Sequence, residues 1–151
     1  MSFQEKNITV SLVTSTLILG FYLIRISQMF QGDGLISTNL FRLWGIVIGL
    51  TIITNILGTI LTHIVSAIIE AIKTGEEDSK IEDFEDERDQ LIDLRGTKVA
   101  YIVSSIGVFL SMLAFVLGQP PLVMFSLLIF SGLVAQIIGD ISRLVLYRRG
   151  F

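Results

Sequence analysis

The sequence predicts an all-α membrane protein, a bundle of four transmembrane helices. Three observations predict it. Hydrophobic residues make up 52% of the 151 residues and the mean hydropathy is +0.75. A soluble core cannot absorb that much apolar surface, whereas a bilayer can. Four apolar stretches follow one another, over about 7–26, 40–72, 98–117 and 122–146, each near or above the ~20 residues that cross a hydrocarbon core about 30 Å thick. The charge is segregated between them: eleven of the fourteen acidic residues lie from Glu70 to Asp93. The length allows one domain, 1–151.

The first stretch carries one Lys in its head, Met1 to Lys6, and no A-x-A site follows the apolar run. An uncleaved first helix is expected rather than a signal peptide. Gln31-Gly32-Asp33-Gly34 breaks it. Ser37, Thr38 and Asn39 then offer N-cap oxygens for the second helix. That helix would be roughly 50 Å long at about 1.5 Å per residue, so it must tilt or run past the membrane surface. It carries Arg42, Asn55, His63 and Glu70 among isoleucines and leucines, and the other three helices are expected to surround it. Gly75 ends it.

The segment 73–97 holds the acidic run. Apolar Ile81, Phe84, Leu91 and Ile92 recur there at a spacing that suits a separate short amphipathic helix. Gly118-Gln119-Pro120-Pro121 reads as a tight hairpin between the last two spans. Proline at a helix start costs little, because that N–H is unpaired anyway. The fourth span ends in Tyr147-Arg148-Arg149, whose arginines suit lipid headgroups.

Lys and Arg placement sets the orientation. With the N-terminus inside, nine basic residues lie on the inner side and only Arg25 and Arg42 on the outer. Both termini and the acidic segment are therefore expected in the cytoplasm.

Several chemistries are excluded. Without cysteine there are no disulfides, thiolate metal sites or thiol catalysis. His63 alone cannot build a multi-histidine zinc site. No Gly-rich phosphate loop, Ser-His-Asp order or metal motif is present, so no catalytic residue, metal or cofactor is expected, and no direct contact with nucleic acid.

At 100° per residue, the polar residues of each span share one side. The second helix aligns Thr51, Asn55, Thr59, Thr62, His63, Ser66 and Glu70; the fourth aligns Gln136, Asp140, Arg143 and Tyr147. The first aligns Asn7, Ser11, Thr14, Ser15, Tyr22 and Arg25, and the third Ser104, Gly107 and Ser111. Unpaired polar groups cost several kcal/mol in hydrocarbon, so these faces should meet inside the bundle. Two readings stand side by side: hydroxyls gluing helix to helix, or a polar path for a small solute. Gly45 and Gly49 form a GxxxG, and Ser131, Ala135 and Gly139 a small-xxx-small ladder; both suit close packing, and a homodimer is one use for them.

Thr54-Asn55-Ile56-Leu57-Gly58-Thr59-Ile60 echoes Ala135-Gln136-Ile137-Ile138-Gly139-Asp140-Ile141. If the echo is a duplication, the chain is two related helix hairpins about an axis along the membrane normal. The alternative is chance similarity between apolar helices.

Asp140 is the most informative residue. It lies in the inner leaflet, and Arg143 can pair with it one turn on. Such a pair is either structural or a proton- or cation-binding device. His63 is expected at similar depth, as a packing residue or a pH-responsive partner of Asp140. Glu82, Asp86, Asp89 and Asp93 share a helical face, which reads as solvated charge or as a weak divalent-cation site.

The run Asp86-Glu87-Arg88-Asp89-Gln90-Leu91-Ile92-Asp93-Leu94-Arg95-Gly96, followed by Ala100-Tyr101, resembles a group of small prokaryotic four-span membrane proteins classed among domains of unknown function, whose recognisable feature is a D-E-R-D-x-L-I segment before the third span. The resemblance covers the second half of the chain, and the first only by its span pattern. It implies a bacterial or archaeal inner-membrane protein and, because some such proteins are encoded beside helix-turn-helix regulators, a regulatory role. The matching positions are Asp86, Arg88, Asp89 and Arg95.

The leading expectation is a non-enzymatic regulatory or interaction module that touches membrane lipids and a cytoplasmic protein partner, with Asp86, Arg88, Asp89 and Arg95 at the contact. The alternative is a small transporter or channel whose polar path between the second and fourth helices uses Asn55, His63, Gln136, Asp140 and Arg143.

Overall fold

The computed structural model describes residues 3–32, 36–74 and 87–149. They form four helices: α1 (Phe3–Gln31), α2 (Ser37–Thr74), α3 (Glu87–Val116) and α4 (Pro121–Arg149). Each is long and apolar enough to cross a membrane. Leu17, Ile53, Phe109 and Val116 stand exposed on their outer faces, where acyl chains and not water are the matching solvent. The chain is a multi-pass membrane protein with the expected all-α bundle. The start of α1 and the end of α4 lie together at one end, the terminal end; the two short connections lie at the other, the hairpin end.

Local chemistry sets the boundaries. α3 stops in a Schellman arrangement: the N–H of Gly118 donates to the Phe115 carbonyl (3.0 Å) and that of Gln119 to the Ala114 carbonyl (3.1 Å). This requires φ = +91° at Gly118, a conformation side chains disfavour. Pro121 then opens α4 without forfeiting a helical hydrogen bond. At the start of α2, the Ile36 carbonyl accepts the first bond, from Leu40 N–H. Ile36 is thus the cap, and Ser37, Thr38 and Asn39 lie inside the first turn instead.

All four helices are longer than the apolar spans expected for them, α1 with 29 residues and α3 with 30 most of all. α3 begins at Glu87, eleven residues before Lys98, so Leu91 and Ile92 belong to its first turns and to no separate helix. Residues 75–86, which include Ile81, Glu82, Phe84 and Asp86, lie outside the described residues. α2 has 38 residues, about 57 Å. Gly58 sits against Val10, which fixes the α1–α2 register. The last nine residues of α2 therefore run about 14 Å beyond the start of α1.

The hub is α4, not α2. α1 and α3 both pack closely on α4, through different residues, whereas α2 leans on α1 and touches α4 lightly. Side-chain size explains this. In lipid, close backbone approach replaces hydrophobic driving force, and α4 offers the small residues. A Cβ on Gly107 would overlap the Ser131 Cβ, and one on Gly139 would stand 2.9 Å from the Ala100 Cβ. The ladder of Ser131, Ala135 and Gly139 is thus the α3 seam. Gly45 and Gly49 meet nothing within 4 Å, so the GxxxG is not a seam within this chain. A two-fold relation between hairpins would also pair α2 with α3 as closely as α1 with α4, which the packing does not do.

In the hairpin-end half, Ile18, Tyr22, Leu43, Val47, Ile129 and Leu133 form the apolar core. The buried Tyr22 hydroxyl donates to the Ser126 carbonyl at 2.7 Å and ties α1 to α4 there.

Candidate functional site

In the terminal-end half, the polar faces surround a cavity of about 220 Å³, room for several waters. α1 contributes Asn7 and Ser11, α2 Thr54 and Asn55, α3 Asp89 and Asp93, and α4 Gln136, Asp140, Arg143 and Tyr147.

Asp140 is the centre. Its side chain is only 3% exposed. Ser11 Oγ donates to its Oδ2 at 2.7 Å, and Arg143 Nη1 to its Oδ1 at 2.8 Å. Gln136 Nε2 stands at 3.4–3.5 Å, a long and weak contact. Arg143 spreads its fork further: Nε donates to Asp93 Oδ1 at 2.9 Å and Nη2 to Thr97 Oγ1 at 2.9 Å. The planar guanidinium is suited to holding several acceptors at fixed angles. Its stem crosses α3 at Gly96, where a Cβ would overlap Arg143 Cγ. One turn on, the Tyr147 hydroxyl donates to Asp89 Oδ1 at 2.7 Å. Among the described residues, no buried side-chain nitrogen or oxygen lacks a partner.

Asp140 lies nine residues, about 14 Å, from the end of α4 at Arg149. α4 is about 43 Å long, so a centred core of about 30 Å leaves roughly 7 Å of helix at each end. With the core so centred, Asp140 would lie about 7 Å inside the hydrocarbon. Towards the hairpin end, the next turns bring the buried Ser15, Ile18, Ile129 and Leu133, of which Ser15, Ile129 and Leu133 line an apolar cleft that shares Gln136 with this cavity. Three lining carboxylates, Asp89, Asp93 and Asp140, against one guanidinium leave a formal charge of −2. Asp93 is 69% exposed at the mouth.

Of the residues expected at an intramembrane site, Asn55, Gln136, Asp140 and Arg143 do come together. Asn55 Nδ2 donates to the Thr51 carbonyl of its own helix at 2.8 Å. His63 does not share the depth of Asp140: its backbone is eight residues, about 12 Å, nearer the terminal end than Asn55. The His63 side chain lies outside the described residues.

The residues expected at a partner contact divide between two faces of α3. Asp89 and Asp93 turn inward onto Tyr147 and Arg143, with Ile92 fully buried between them. Arg88, Leu91 and Arg95 share the exposed outer face. Asp86 lies outside the described residues. No group of three or more His, Cys, Asp or Glu among the described residues could hold a metal ion. Of the four acidic residues on the expected charged face, Asp89 and Asp93 are already bound internally.

Sequence reasoning missed the bonds Ser11–Asp140, Asp93–Arg143, Thr97–Arg143 and Tyr147–Asp89. Comparison with family models, with curated proteins and with solved structures gives no match for this chain.

Proposed function

We propose that the protein is a non-enzymatic carrier that binds a small, hydrophilic, positively charged solute in the Asp140 cavity. The observation that supports this is a buried carboxylate in a helix long and apolar enough to cross a membrane, beside a polar cavity of formal charge −2. A charge at that depth is expensive and is retained where it pairs or handles a substrate. The apolar core beyond Ser11 and Gln136 favours a carrier over an open pore. The excess of Lys and Arg at the terminal end favours a cavity facing the cytoplasm, and the resemblance of the Asp86–Gly96 segment favours a prokaryotic inner membrane.

The test uses proteoliposomes and radiolabelled methylammonium. Asp140→Asn keeps the shape and leaves Arg143 paired with Asp93 and Thr97. Uptake is expected to fall about tenfold, the factor that ~1.4 kcal/mol of binding supports. Uptake unchanged by Asp140→Asn would remove the reading.

A second reading, a regulatory module that engages a cytoplasmic protein, is favoured by Arg88, Leu91 and Arg95 sharing one exposed face of α3. Arg88→Glu with Arg95→Glu is expected to abolish co-purification of that partner after crosslinking in cells. Capture unaffected by the double charge reversal would count against it.

A further inference from the structure

The apolar cleft that shares Gln136 with the Asp140 cavity lies between α2 and α4 and has a volume of about 350 Å³. Trp44, Val47 and Ile48 line it from α2, and Leu128, Ile129 and Leu133 from α4. It exists because α2 leans on α1 and barely touches α4. The two helices run in the same direction, and the edge contact of Phe41 with Phe125, 5.6 Å between ring centres, sets their register. Trp44 therefore stands level with Leu128, Ile48 with Gly132 and Ile52 with Gln136. Gln136 is near the middle of α4. The cleft thus occupies the half of the bundle towards the hairpin end, and the Asp140 cavity the half towards the terminal end.

Together they make one slot along the helix axes, and its halves ask opposite things of a ligand. In the polar half, three carboxylates against one guanidinium attract an ammonium and repel an anion. The apolar half offers nothing to a second charge. The Thr51 hydroxyl on its wall is already spent on the Val47 carbonyl of its own helix, at 2.8 Å. From Gln136 to Leu128 the apolar half spans eight residues, about 12 Å, the length of an extended chain of about ten carbons. A small hydrophilic ammonium fills only the first half.

We propose that the slot binds a second class of ligand, a single-chain organic cation with one ammonium head and an unbranched hydrocarbon tail. The head lies beside Asp140 and the tail between α2 and α4. Such a molecule competes with the hydrophilic solute for the carboxylate and gains from the cleft a contact that the solute cannot make. The proposal rests on the cavity reading above and goes beyond it.

The test embeds the purified protein in nanodiscs and displaces radiolabelled methylammonium with n-alkylammonium ions from ethyl to dodecyl. Equilibrium dialysis fixes the free amine concentration. Potency is expected to rise about twofold per methylene, the factor that half-burial of each supports. It should level off beyond about ten carbons, where the tail reaches the level of Trp44. Octylammonium then displaces at about a hundredfold lower concentration than unlabelled methylammonium, and octanoate does not displace. Gly132→Leu fills the middle of the cleft from a position where a Cβ meets nothing within 4 Å. Ile48→Trp fills it from the facing helix should the first variant fail to fold. In either, the octyl-to-methyl ratio is expected to fall below about tenfold. The ratio is taken within each variant, so partition of the tail into lipid cancels between parent and variant. A flat chain-length series, displacement by octanoate, or a ratio unchanged in the blocked variants overturns the proposal. If methylammonium binding is insensitive to Asp140→Asn, the cavity reading itself has failed. If that dependence holds while the chain-length series fails, the tailed cation alone is removed.

Discussion

Arg143→Ala is expected to destabilise the bundle by about 3 kcal/mol, the cost of leaving a buried carboxylate without its partner. The geometry sets the size of the effect. Asp140 is nearly inaccessible and keeps only Ser11 and a distant Gln136 once the guanidinium is gone. The same change frees Asp93 and Thr97, which tie the first turns of α3 to α4. Arg143→Lys should recover part of the loss, since an ammonium restores charge but cannot span three acceptors on two helices. Asp140→Asn should cost much less, because Arg143 retains its α3 partners. Combining Asp140→Asn with Arg143→Ala should be milder than Arg143→Ala alone, the non-additivity of a shared network. Unfolding in mixed detergent micelles, followed by circular dichroism, measures all four variants. An Arg143→Ala transition within about 0.5 kcal/mol of the parent would show that the network carries no structural weight.

Much of this network follows from counting along the chain. Asp93 lies 25 residues before Gly118 and Arg143 lies 25 after it; Asp89 and Tyr147 are each 29 away. In an antiparallel hairpin, residues equally far from the turn sit at equal height, so the Gly-Gln-Pro-Pro signal sets these pairs side by side. The four spans, their hairpins and the inward turn of Ser15, Tyr22, Ser111 and Asp140 were legible for the same reason, since apolar length and period need no tertiary information, whereas Arg25, on the same expected face as Tyr22, is exposed. The α1–α4 contact was not. Ser11 meets Asp140 through the docking of one hairpin on the other, and no turn links their registers. The identity of the hub was hidden as well. Polarity made α2 conspicuous, whereas packing in lipid rewards small residues, and those of Gly45 and Gly49 look like a seam while facing outward. The expected separate amphipathic helix was wrong at its C-terminal half: Leu91 and Ile92 run on into the third span without a break, and Gly96 lies inside α3, in the space through which the Arg143 stem passes.

Gly107→Ala is expected to cost about 2–3 kcal/mol although it adds a single methyl group. The new Cβ would fall on the Ser131 Cβ, an atom one bond from the backbone that no rotamer can move aside. α3 and α4 must therefore separate there, and separation strains every contact along the seam. α3 depends on α4 for nearly all its packing. In a bilayer, acyl chains compete for the vacated surface at no hydrophobic cost, so lost dispersion contacts are not recovered. The sequence-equivalent change elsewhere makes the control. Gly45→Ala and Gly49→Ala add the same methyl on α2 into open space and should lie within about 0.5 kcal/mol of the parent or gain slightly through helix propensity. Because one methyl blocks another, Ser131→Gly should restore much of the stability of Gly107→Ala while lowering that of the parent. Mixed-micelle unfolding of the single and double variants reads out the cycle. A Gly107→Ala variant as stable as the parent, or one that Ser131→Gly worsens, would mean that α3 is held by something other than its small-residue seam with α4.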